Sequence, residues 1–151
     1  MELIHYAGHP VSLDRGRIYL QRDYHKPNGL WVSVRGPDDW VAWNEAEKYK
    51  PTTHAHRVVL RACAQVRRVV GVAEFDEFHR QYAFPSHWRR HGDDPSYWEV
   101  DWRRVAAEYD GVVIAPYLWE RRMDPHWYYT WDCASGCIWN PNAIASLNPV
   151  E

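Results

Sequence analysis

The side chains with the most chemical capacity in this 151-residue chain are three cysteines, nine histidines and a few well-placed acids. Cys133 and Cys137 form a close pair with three residues between them. Structural zinc sites usually repeat a tighter cysteine pair, and here no second pair follows. On a strand, positions four apart share a face but lie about 13 Å apart, so both thiols reach one ion only if Gly136 turns the chain. His54-x-His56 and His87-x3-His91 are the other ligand-like spacings. The simpler reading makes both cysteines small buried apolar groups, and no metal is expected. A Cys133 thiolate with a histidine base is the nucleophilic alternative. No Gly-x-Gly-x-x-Gly, Walker loop, Gly-x-Ser-x-Gly or His-Glu-x-x-His occurs. One ordered set remains: His5 near the start, Trp31 within Gly29-Leu30-Trp31-Val32-Ser33, and Asp132 within Trp131-Asp132-Cys133-Ala134-Ser135-Gly136-Cys137-Ile138.

These residues need elements to hold them. Residues 2–6 form an apolar, β-prone run broken by Gly8 and Pro10, which predicts a first strand carrying His5. Lys26-Pro27-Asn28-Gly29 is a turn signal, and Leu30–Val34 reads as the second strand. Asp38 or Asp39 caps a helix to about Tyr49 that sets Trp40 and Trp43 on one face. Two short strands follow at 56–61 and 66–70, then a helix at 73–82 with Phe75, Phe78 and Tyr82 on one side. Residues 84–98 read as a long loop, 101–109 as a capped helix, 112–116 as a strand and 117–128 as a second long loop. Two β-prone pieces flank Ser135-Gly136, and Asn140-Pro141-Asn142 turns into the tail. Strands and helices do not alternate regularly, which predicts an α+β domain over 1–151 with antiparallel sheets.

Composition narrows the function classes. The formal net charge is -2 and the pI is near 6.5, which argues against binding nucleic acid by bulk charge. No apolar run approaches the ~20 residues of a membrane helix. The first residues lack the pattern of a signal peptide, and three cysteines are too few for a disulfide scaffold, so a cytoplasmic protein with reduced thiols is expected. Ten Trp and ten Tyr suit a rigid core and concave pockets.

In order and residue type, His5, Trp31 in its Gly-Leu-Trp-Val-Ser strand and Asp132 ahead of a late strand resemble the ADP-ribosyltransferase fold. The likeness is to its diphtheria-toxin-like branch and to small phage-encoded enzymes of that kind, and it spans about residues 3–140. It implies two small antiparallel sheets forming a cleft with flanking helices. It implies NAD as substrate, with His5 on the NAD ribose, Trp31 packed on nicotinamide and Asp132 as the acid that polarises the bond being broken. Tyr6 and Trp43 would complete the ring's surroundings, Ser33 would support the acid, and Arg15 or Arg17 would meet the pyrophosphate. Glu120 is the reserve acid. In this sequence the strand aromatic is Trp where the family usually has Tyr, the acid is Asp, and Tyr6 follows His5 where the polymerases of the branch have Gly.

The chemistry calls for such residues. Loss of nicotinamide passes through an oxocarbenium-like state, and a carboxylate beside the sugar helps most in that state. The expected activity is mono-ADP-ribosylation of a macromolecular acceptor, protein or nucleic acid, as a toxin or phage factor. The loops at 84–98 and 117–128 would recognise the acceptor, through residues such as Trp88, Arg89, Arg90, Trp119, Arg122 and Trp127. NAD hydrolysis and RNA 2′-phosphate transfer to NAD are alternatives on the same fold. A non-catalytic binding module using the Trp- and Arg-rich loops is the third reading.

Overall fold

The computed structural model describes residues 1–50, 52–85 and 93–150. It is a mixed α+β structure. Its strands are β1 (Leu3–Ala7), β2 (Asp23–Tyr24), β3 (Leu30–Val34), β4 (His54–Leu60), β5 (Val66–Val69), β6 (Ala83–Phe84), β7 (Glu99–Asp101), β8 (Gly111–Ile114), β9 (Ser135–Ile138) and β10 (Ile144–Pro149). The helices are α1 (Trp40–Glu47), α2 (Val72–Tyr82) and α3 (Trp102–Glu108), and short 3-10 turns include Trp119–Arg121 and His126–Thr130.

Local chemistry sets most of these boundaries. Asp39 starts α1: its carboxylate accepts from the Ala42 amide at 3.0 Å and from the Gly36 amide at 3.2 Å. Lys48 ends that helix in the left-handed region, with φ 49. Asp101 caps α3 by accepting from the Arg103 amide. Helix α2 buries Phe75, Phe78 and Tyr82, the face expected from their spacing.

Seven strands form one sheet in the order β10-β4-β1-β3-β9-β8-β5, and three form a small sheet, β2-β7-β6. The expected pair of small antiparallel sheets is therefore corrected. Strand β8 joins β9 on one side and β5 on the other, extending a single large sheet, and its pairing with β5 is parallel. All four of its residues are buried, as suits a strand covered on both faces. After the expected turn at Asn140-Pro141-Asn142, the tail continues as β10 along the edge of β4. The expected loop at 84–98 starts at the end of β6 and holds a 3-10 turn at Pro95–Tyr97 before β7 begins, while residues 86–92 lie outside the described residues.

Two apolar clusters cover the faces of the large sheet. One gathers Phe75, Phe78, Trp102, Trp127 and Trp131 with Cys137; the other holds Leu3, Val32, Val58, Ile144 and Ile138. Cys137 and Ile138 are consecutive in β9, so the clusters lie on opposite faces. Rings meet closely in the first cluster, Phe75 stacking on Trp127 at 5.2 Å. No helix of the described residues is long and apolar enough to cross a membrane.

Candidate functional site

The large sheet opens at its centre. Strand β1 pairs with β4 at five positions, from Leu3 opposite Val58 to Ala7 opposite His54. Strand β3 pairs with β9 at four, from Leu30 opposite Ile138 to Ser33 opposite Ser135. Between β1 and β3 the ladder has only Leu3 opposite Val34 and Ile4 opposite Ser33. Past Ile4 the two strands part. In the gap, His5 Nδ1 donates to the Trp31 carbonyl at 2.7 Å. A carbonyl only accepts, so Nδ1 carries the proton and Nε2 keeps its lone pair when the ring is neutral. Burial lowers the His5 pKa below its ordinary value, against the Trp31 hydrogen bond that raises it, with His56 and His9 lowering it further.

A cavity of about 240 Å³ lies at this split. The structure brings His5, Tyr6, Trp31, Ser33 and Asp132 together on its wall. Trp31 is half-buried and meets Trp131 edge-to-face at 4.8 Å. Gly29 lets β3 lie this close to β9: a Cβ there would meet Cys137 Sγ at 2.6 Å and the Ile138 carbonyl at 2.7 Å.

Asp132 is half-buried and makes no hydrogen bond or ion pair with another described residue. Burial raises its carboxyl above the ordinary range, while Lys26 and then Arg122 draw it back and Glu47 adds to the rise. It also lines a neighbouring hollow of about 240 Å³ with Trp43, Trp119 and Arg122. The carboxylate thus stands between two concave surfaces.

Other expected residues take different places. Ser33 Oγ accepts from the Trp40 amide at 2.9 Å, so it ties α1 to β3; it lines the cavity with Asp132 but makes no hydrogen bond to it. That bond puts Trp40 on the cavity wall, and Trp43 stacks behind it at 4.9 Å. Trp40 thus lines this cavity, and Trp43 lines the neighbouring hollow with Asp132. Arg15 is spent on structure, donating to the carbonyls of Pro141, Ile144 and Ala145. Arg17 lies over the Tyr19 ring at 4.8 Å, in a separate hollow of about 250 Å³ that also touches His5. Glu120 is exposed and lines neither hollow that holds Asp132.

Burial pushes the Cys133 thiol up to about 12, which keeps it protonated, and Cys137 is fully buried with its thiol raised as well. His56 Nε2 accepts from the Val11 amide at 3.1 Å, and His54 pairs with Thr53. Among the described residues no three His, Cys, Asp or Glu are placed to hold a metal ion. His87, His91, Trp88, Arg89 and Arg90 lie outside the described residues.

Sequence reasoning missed Lys26, Trp40, Trp131 and Ser135 as lining residues. Lys26 Nζ stands 5.1 Å from the Trp31 ring centroid. Its one signal was its place in the turn that leads into β3. Trp131 was legible as the neighbour of Asp132, and Trp40 as the face-mate of Trp43. No family model matches this chain, and neither a curated protein nor a solved structure matches it, so the functional reading stands on the geometry of the split.

Proposed function

We propose that this chain is an NAD-consuming mono-ADP-ribosyltransferase. One observation carries the reading: the gap between β1 and β3 places His5, Trp31 and Asp132 on one cavity. An imidazole acceptor, an aromatic wall and an isolated carboxylate are what cleavage of a cationic N-glycoside uses. The hollows of about 240 and 250 Å³ that share His5 offer room for the two halves of a dinucleotide, with Arg17 in the second to meet phosphate.

In this reading Trp31 stacks on the nicotinamide ring, a contact worth roughly 0.5–2 kcal/mol. His5 Nε2 accepts from a ribose hydroxyl. The bond between C1′ and the nicotinamide nitrogen breaks with both electrons leaving on nitrogen. Positive charge then spreads over C1′ and the ring oxygen, where the Asp132 carboxylate stabilises it. An acceptor nucleophile closes onto C1′ and gives its proton to solvent. The hollow shared by Asp132, Trp119 and Arg122 is the approach for that acceptor, a protein or nucleic-acid group.

Labelled NAD with a bacterial lysate tests the reading, beside Asp132→Ala and His5→Ala. Label on a macromolecular band, lost in both variants, is the expected result. Nicotinamide release without transferred label would make the protein an NAD glycohydrolase. Neither signal from folded protein would reject the enzyme and favour a binding module.

A further inference from the structure

Lys26 is a cation built into an aromatic cavity. Its backbone is anchored on both sides: the Trp131 indole donates to the His25 carbonyl at 3.3 Å, and the Asn28 amide donates to Gln21 Oε1 at 2.9 Å. Pro27, buried, fixes the next step of the chain. From this turn the side chain reaches into the cavity and sets Nζ over the Trp31 face, 5.1 Å from the ring centroid. Among the described residues it forms no ion pair; its charge acts at longer range on Asp132 and on whatever the cavity holds. Asp132 lines the same cavity with the opposite charge.

We propose that Lys26 is a catalytic residue, whose ammonium repels the positively charged nicotinamide ring of bound NAD and so favours its departure as the neutral base. The proposal rests on the NAD reading above. In the ground state the positive charge sits on the ring that Trp31 would stack, beside Lys26. As the C1′–N bond breaks, both electrons pass to nitrogen, the ring becomes neutral and the positive charge moves to the sugar. The repulsion with Lys26 falls while the attraction to Asp132 grows. A cation near the leaving ring and an anion near the sugar make a field along the bond that draws electrons toward the leaving group. Strain of this kind is present in the bound substrate and relieved in the transition state.

A phosphate-binding lysine would behave differently. It would tighten substrate binding, and Arg17 already supplies a guanidinium in the other hollow that His5 touches. Lys26 instead stands over the ring on the cavity wall.

The experiment is the Lys26→Met variant, whose side chain keeps the apolar contact with Trp31, with Lys26→Arg as the charge-retaining control. Nicotinamide release from NAD is followed in steady state. Binding of the N-methylnicotinamide cation and of neutral nicotinamide is measured by calorimetry. Lys26→Met is expected to lower kcat and KM together, each by about tenfold, the mark of removed ground-state strain. It should bind the cation about tenfold tighter and neutral nicotinamide within about twofold, while Lys26→Arg resembles the parent. A raised KM with unchanged kcat would overturn the proposal and make Lys26 a phosphate contact. Unchanged kinetics and cation affinity would overturn it as well, with the NAD reading intact. A parent protein that neither releases nicotinamide nor binds either probe would overturn the NAD reading itself, and Lys26 with it.

Discussion

His5 Nδ1 and the carbonyl of Trp31 meet at 2.7 Å across the point where β1 and β3 separate. Under the proposed function, the bond links the residue that would read the sugar with the residue that would stack the ring. It also selects the tautomer, since the carbonyl can only accept. Nitrogen-15 NMR of the imidazole is expected to find a neutral ring protonated at Nδ1 at pH 7. Burial lowers the His5 pKa, so the ring should remain neutral below its ordinary value of 6.5. The stability that this neutral histidine contributes is present above that value and is lost as pH falls through the lowered one.

Asp132 carries the opposite signature. Burial raises its pKa, so the protonated carboxyl favours the fold at low pH and that contribution is lost as pH rises through the raised value. At neutral pH the ionised group therefore costs stability. Asp132→Asn is expected to raise the melting temperature by roughly 1–3 °C while lowering nicotinamide release by about 100-fold or more. The acid limb of kcat/KM, which reports the free enzyme, should lie above the ordinary aspartate range, and calorimetry with a pH–rate profile reads both effects.

Trp31 should tolerate replacement by another ring better than loss of the ring. Trp31→Ala is expected to raise KM for NAD by about 3- to 30-fold, the range of a stacking and cation–π contact. Trp31→Phe should stay within about threefold of the parent. Steady-state kinetics of the two variants, compared with their melting temperatures, separates stacking from packing.

Gly29 is required by close approach rather than by its backbone angles. A methyl at this position would press on Cys137 Sγ and on the Ile138 carbonyl, and the backbone contact has no rotamer by which to yield. Gly29→Ala is expected to destabilise the fold by about 1–3 kcal/mol in urea melts. The strain falls on the strand that carries Trp31, so nicotinamide release should fall as well.

Arg121 grips Asp76 with two hydrogen bonds of 2.8 Å and ties the 3-10 turn at Trp119–Arg121 to α2. The guanidinium lowers the Asp76 pKa, so this stabilisation is present above the ordinary carboxylate range and is lost as pH falls through the lowered value. Both side chains keep substantial solvent contact, at 43% for Asp76 and 30% for Arg121. Arg121→Ala is therefore expected to cost less than about 1 kcal/mol at neutral pH, with the difference vanishing in acid.

What the amino-acid order determined by itself was local. A cap for α1 at Asp38 or Asp39, the Asp101 cap, the Phe75–Phe78–Tyr82 face of α2 and the β-prone runs that became β1, β3 and β9 follow from propensity and period. The order His5, Trp31, Asp132 was legible for the same reason, because each stands in or beside a recognisable element. Sheet order was not. The long-range pairing of β8 with both β9 and β5 made one large sheet where two small ones were expected, and the tail became β10 because β4 offered an edge. The early end of the β1–β3 ladder opened the cavity, and the Trp40 amide, donating to Ser33 Oγ, holds the start of α1 beside it. Lys26 joined them from a turn whose residues signal only a change of direction. Strand propensity belongs to a short stretch of chain, whereas a cavity is defined by which distant stretches pair and where that pairing stops.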